Sequence, residues 1–322
     1  MQTAEKAPVQ GTACWTGRQF HNQPEQSHQH QFLVDMWSDI AAETEGRIAV
    51  TVHAQNAGVP GSDPQALDML QSGDLEFMTL MGGILGRLVP VMEIQGLPFA
   101  FTSHAQVHEV NEGALGAYLD EECRAKGIHR FRHGLLENGF RHIGMTKNPI
   151  VNADDLVGVI MRVPDGQMFR DLFSALETKP MVVNINQLYE ALKTGRVDGQ
   201  ENPLVVTEVN KLYEVTRYMS LTSHMWSGFN LIANLKFWET LPADVQAMID
   251  RNVRKHVRRQ RAYTDEFNRQ LETTLADRGV TFNTADTGTF RRKLGAGFYQ
   301  RWKKQFGDTA WGLLEAEVGK LG

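Results

Sequence analysis

The chain has 322 residues, 42% of them hydrophobic, enough for a sizeable core divided between two domains. Its formal net charge of −5 and pI of about 6.1 exclude a global positive field that would recruit nucleic acid or an anionic membrane surface. No apolar run reaches the ~18–20 residues that span a bilayer, so the chain is not expected to be membrane-spanning. The N-terminal "MQTAEKAPVQGTACW" lacks the charged-then-apolar order of a secretory signal. The chain is therefore cytosolic, or its export signal has been removed. Cys14 and Cys123 lie far apart and outside any CxxC, which argues against a disulfide framework or a zinc site and leaves a single disulfide open.

Strand-like and helix-like segments alternate along the chain, the mark of an α/β architecture. Residues 27–44 read as a helix, with Phe32, Met36, Trp37 and Ile40 at helical spacing. "RIAVTVHAQ" follows as a strand with Ile48, Val50, Val52 and Ala54 on one side. In "SDPQALDMLQSGDLEFMTLM", Ser62 or Asp63 caps a helix, Pro64 fits its first turn, Gly73 stops it and residues 75–81 resume as a strand. "DGQMFRDLFSALETKPMVVNINQLYEALKTGRVDGQENP" uses the same unit again: a helix, a strand over 180–185, a short helix stopping at Gly195, and a short strand at 196–198. Pro203 then suits the first position of a further helix, which makes Asn202 its natural N-cap. From Pro242 a helical pattern of more than thirty residues runs to Gly279, long enough to brace two lobes. "VTFNT" is a last strand, and the tail from Thr289 is helical.

Histidines 21, 28 and 30 lie close together, but an i, i+2 pair does not share a helix face and no acidic or cysteine ligand completes a tetrahedral site. They read as polar loop and surface histidines, and no metal or cofactor is expected. The basic run from Arg251 to Arg261 reads as a solvated helix face. No GxSxG elbow, P-loop or GxGxxG after a strand is present. Two arginines stand out. Arg162, in "GVIMRVPDG", and Arg141, in "ENGFRHIGM", sit inside apolar strand runs. A buried arginine needs an anionic partner, either a carboxylate of the protein or one of a ligand gripped by the planar fork.

The blocks "GFRHIGMTKNPIVNADDLVGVIMRVPDGQMF", "INQLYEALKTGRVDGQENPL" and "KLYEVTRYMSLTSH", with "GLPFAF" and "FWETLPADVQ" in the right order, resemble the TRAP transporter solute-binding proteins of the DctP type. The likeness covers most of the chain. It implies a two-lobed fold of the periplasmic-binding-protein class (type II-like), with a ligand cleft and a long bracing helix. The implied lobes are 1–139 with 228–267 and 140–227 with 268–322. It also implies a periplasmic, monomeric, non-enzymatic receptor that passes a small organic acid to a TRAP membrane permease. By this resemblance Arg162 grips the ligand carboxylate, Asn202 supports it and Arg141 is a second contact.

Further ligand contacts are expected from His21, Asn22 and Gln23, from Met81, Gly82 and Gly83, and from Asn184, Trp226 and Asn230. Amides and an imidazole around an arginine favour a hydroxylated monocarboxylate such as a short sugar acid. Trp226, Phe169 and Phe140 leave an aromatic acid open, and an enzyme or a sensor module could use the same cleft.

Overall fold

The computed structural model describes residues 13–60 and 62–321. The N-terminal stretch 1–12, on which most of the export-signal reading rests, lies outside the described residues. Those described include one mixed sheet of nine strands, joined by helices. The strands are β1 (Trp15–Phe20), β2 (Ile48–His53), β3 (Phe77–Met81), β4 (Ile128–Met145), β5 (Ile160–Val163), β6 (Lys179–Val182), β7 (Gly199–Asn202), β8 (Tyr218–Asn234) and β9 (Thr281–Thr284). Their order is β2-β1-β3-β8-β4-β7-β5-β6, with β9 on the edge of β8.

β1 is parallel to β2 and β3, and β5 is parallel to β6 and β7, as helix-linked crossovers require. Between these groups lie β4 and β8, 18 and 17 residues long and antiparallel, which run the length of the molecule. Their register shifts between Glu137 and Gly139, where Gly139 takes φ 129°, a conformation open to glycine.

The repeated helix–glycine–strand unit is present at both ends of the sheet. Helix Ser62–Ser72 turns through Gly73 (φ 91°) toward β3, and helix Ile185–Lys193 turns through Gly195 (φ 71°) toward β7. The second strand of the pair sits later than its sequence pattern suggests: 196–198 is connection, and pairing begins at Gly199.

Helix Ala243–Asp277, 35 residues, braces the long strand β4. Gln260 accepts from Glu137 N and donates to Glu137 O, both at 2.8 Å, and Asn268 donates to Asn138 O at 3.2 Å. Lys255 and His256 reach Asp39 of helix His28–Glu43 at 2.8 and 2.9 Å, while Asn268 Oδ1 accepts from Val205 N at 3.1 Å. The basic run is thus only partly a solvated face: Arg261 is half-buried and pairs with Glu112. The C-terminal helical segment Thr287–Val318, bent at Gly295 and Gly307, meets both ends of the molecule through Tyr299 to Pro98 O and Lys293 to Asp154 and Glu177.

Cys14 is exposed and Cys123 buried, and both are free thiols. Among the described residues no helix is long and apolar enough to cross a membrane.

Candidate functional site

Beside the crossing strands, a cavity lies between the β1–β3 end and the β5–β7 end of the sheet. Arg162 is on its wall, 3% exposed, in the short strand β5. Its Nε donates to the carbonyl of Val183 at 2.8 Å, which fixes the plane of the guanidinium. Among the described residues no protein acceptor meets its Nη1 or Nη2. Burial lowers its pKa to about 10, partly countered by the charges of Glu201 and Asp63, so it remains a cation at neutral pH. A buried cation with two parallel donors and no bonded counter-ion is a carboxylate receptor in geometry and charge.

Arg141 is different. It is fully buried and does not line the cavity. Nε and Nη2 pair with the Glu201 carboxylate, Nη2 also donates to Glu201 O and to Asn202 Oδ1 (3.1 Å), and Nη1 donates to Ser227 Oγ (3.1 Å). Met81 Sδ lies 3.8 Å from Nη1, so the whole fork is occupied by the protein. Burial works to raise the Glu201 pKa, but the Arg141 charge together with the hydrogen bonds from His224 and Arg141 outweighs it and the pKa is lowered.

Asn202 does line the cavity, yet it is not the helix cap. It is the last residue of β7, and the N-cap of helix Leu204–Val209 is Pro203, without a side-chain cap bond. Its amide donates to Gln200 Oε1 and accepts from Arg141. Pairing of β7 with β4 (His142 opposite Asn202) sets this position, so capping and strand membership exclude one another.

From the other end of the sheet come Asn22 and Gln23, in the turn after β1, and Met81 at the end of β3. Gln23 donates to Asn22 Oδ1 at 2.9 Å and keeps a buried Oε1 without a partner. Asn184 lines the cavity at the N-terminus of helix Ile185–Lys193 and makes no capping bond there.

Several expected contacts lie elsewhere. His21 is buried behind the wall, bonded to His30 at 2.9 Å, with its pKa lowered to about 3 chiefly by burial. His28 is bonded to Thr264 at 3.0 Å. His21 is thus not a surface histidine while His28 is partly buried, and among the described residues no group of three or more His, Cys, Asp or Glu side chains could hold a metal ion. Gly82 and Gly83 serve packing: a Cβ would stand 2.3 Å from Gln95 Oε1 and 2.6 Å from the Phe169 ring, respectively. Trp226 donates to buried Glu137 at 2.8 Å, and Asn230 is bonded to Gln95, Arg130 and Leu80 O. Phe169 faces the Arg141 guanidinium at 5.0 Å and Phe140 faces His104 at 5.0 Å. Of the aromatic side chains only Phe229, among the described residues, reaches the cavity wall.

Sequence reasoning missed Asp63 and Asn138. Asp63 read as a helix cap, but it lies buried on the wall, accepting from Asn22 Nδ2 (2.8 Å) and Asn56 Nδ2 (2.7 Å). Asn138 sits at the register shift of β4 and donates to Ser227 Oγ at 3.1 Å.

Residues 20–305 match the family model DctP, described as bacterial extracellular solute-binding protein, family 7. The chain belongs to the DctP family. It is 34% identical over 209 residues to the uncharacterized protein y4mM of Sinorhizobium fredii, covering 65% of this chain and 38% of that longer protein. It is 29% identical over 239 residues to the C4-dicarboxylate-binding periplasmic protein DctP of Rhodobacter capsulatus, covering 74% and 70% of the two chains. Among solved structures, a TRAP periplasmic solute-binding protein from Polaromonas sp. JS666 bound to D-erythronate superposes with a TM-score of 0.88 at 26% identity, covering 95% and 99%. The fold is that of these two-lobed receptors, and DctP-family proteins are solute-binding receptors, not enzymes.

Proposed function

We propose that this DctP-family chain is the extracytoplasmic receptor of a TRAP transporter, closing two lobes over a small organic acid whose carboxylate is gripped by Arg162. The observation that carries the reading is the buried Arg162 guanidinium on the cavity wall, oriented by Val183 and, among the described residues, without a protein acceptor at either terminal amine. The lobes are 1–139 with 228–267 and 140–227 with 268–322, hinged where β4 and β8 lose register beside Gly139. Asn202, held by Arg141 and Gln200, supports the bound carboxylate. Arg141 acts by holding Asn202, because its own donors are occupied.

The ligand is a hydroxylated monocarboxylate, such as a short sugar acid. Asn22, Gln23, Asn138 and Asn184 supply amide donors and acceptors suited to hydroxyls, and the Polaromonas relative binds erythronate. Closure is a population shift stabilised by contacts made only when both lobes touch the ligand. The receptor acts as a monomer in the periplasm and hands its ligand to a membrane permease.

Calorimetry with erythronate and related sugar acids tests the reading. Wild-type protein binds at least one of them. Arg162→Ala loses about 2–5 kcal/mol of binding, as for one partner removed from a desolvated charge pair. Equal affinity of the variant would sink the assignment.

A further inference from the structure

We infer that Asp63 limits the ligand to one negative charge, by placing a fixed carboxylate on the wall of the cavity that Arg162 occupies. The inference rests on the reading that Arg162 holds a ligand carboxylate, and it adds the residue that reads the ligand's far end.

Asp63 is 6% exposed and sits in the first turn of helix Ser62–Ser72. Its two oxygens accept from the side-chain amides of Asn22 and Asn56, at 2.8 and 2.7 Å, and no cation is hydrogen-bonded to it among the described residues. Asp165, the other acid on the wall, is neutralised by Arg87 and Arg170 at 2.9 and 2.7 Å. Glu201 lies off the wall and is paired with Arg141. Among the described residues the wall therefore carries one cation and one acid without a hydrogen-bonded ion-pair partner, Arg162 on β5 and Asp63 on helix Ser62–Ser72, near enough for each charge to act on the other.

A carboxylate offers about four lone-pair sites, so two amide donors leave Asp63 able to accept from ligand hydroxyls. A monoanion with hydroxyls at its far end satisfies both groups. The second carboxylate of a diacid instead meets a like charge in a closed cavity, where an effective dielectric of about 20 leaves repulsion equivalent to about tenfold or more in affinity. Burial raises the Asp63 pKa in spite of both amides and the Arg162 charge, so the comparison belongs at pH 8, where the ionised form is more favoured than at neutral pH.

The test is calorimetry on matched pairs that differ only at the terminal carbon: erythronate and meso-tartrate, galactonate and galactarate, butyrate and succinate. Wild-type protein is expected to bind the monoacid of its preferred pair about tenfold or more tightly than the diacid. Asp63→Asn is expected to reduce that ratio about tenfold through a gain by the diacid, and Asp63→Ser to reduce it in the same direction. An unchanged ratio in variants with cooperative melting overturns the role of Asp63. So does wild-type protein that prefers a diacid, a result that needs no variant to fold. Binding of none of the six acids would instead overturn the carboxylate reading itself.

Discussion

Arg141 and Glu201 form a fully buried ion pair in which the carboxylate holds one edge of the guanidinium, while Asn202, Ser227 and Glu201 O take its remaining donors. Glu201 is further bonded to His224 at 3.3 Å. Such a pair need not add stability compared with apolar packing, but halving it strands a charge. Glu201→Gln is therefore expected to destabilise the unliganded protein by about 3–5 kcal/mol. Chemical denaturation measures the loss, and a loss below about 1 kcal/mol contradicts the pairing.

Arg162 responds in the opposite way. Its charge is buried without a bonded counter-ion, so removing it relieves a desolvation cost instead of creating one. Arg162→Ala is expected to leave the melting temperature of the unliganded protein unchanged or raised, while abolishing the ligand-induced upward shift. Parallel thermal melts with and without a sugar acid separate the two sites: Glu201→Gln loses the fold's stability, Arg162→Ala the response.

The proposed closure would bring the two ends of the sheet together where glycines leave room. Gly166, with extended backbone, comes so close to helix Gly82–Leu85 that a Cβ would stand 2.5 Å from Gly83 O. Its φ of −151° suits any residue, so the obstacle is contact across the cleft and not local strain. Gly166→Val is expected to fold with wild-type helix content yet bind ligand about tenfold or more weakly. Small-angle scattering should show no ligand-induced compaction; wild-type compaction by the variant would count against this contact as a closing surface.

The crossing point also carries a pH signature. His104 Nδ1 and His108 Nε2 lie 3.0 and 2.9 Å from one oxygen of Glu137, which is buried at the register shift of β4. Burial works to raise the Glu137 pKa, but the two histidines outweigh it and bring it to about 2. For His104, burial opposes the charge, yet the Glu137 carboxylate prevails and the pKa is raised. The depressed Glu137 contributes stability that is present above its ordinary value of 4.5 and lost as pH falls through about 2. The raised His104 contributes stability that is present below 6.5 and lost as pH rises through its folded value. Together they favour a maximum between these limits. Melting temperature against pH is expected to show it, and Glu137→Gln to flatten both flanks.

Much of this architecture is legible in the sequence because helix periodicity and glycine stops are local signals. Helix Ala243–Asp277 and the paired units ending at Gly73 and Gly195 follow from them directly. The strand "GQEN" does not: it has no apolar alternation, and it is a strand only because β4 and β5 flank it on both sides. That misplacement is also why Asn202 read as a cap. Arg162 stands out as a charge in an apolar run, but the same signal marks Arg141, and only the position of Glu201 separates a free fork from an occupied one. Asp63 carries no local signal of burial, since its partners Asn22 and Asn56 come from separate turns.

The two long strands β4 and β8 join the β1–β3 part of the sheet to the β5–β7 part, and each puts a residue, Asn138 and Phe229, on the cavity wall. A recombination event cannot lift one half out of this chain and graft it onto a relative without cutting through both strands. New preferences in such a receptor must therefore arise by single replacements among wall residues, one side chain at a time.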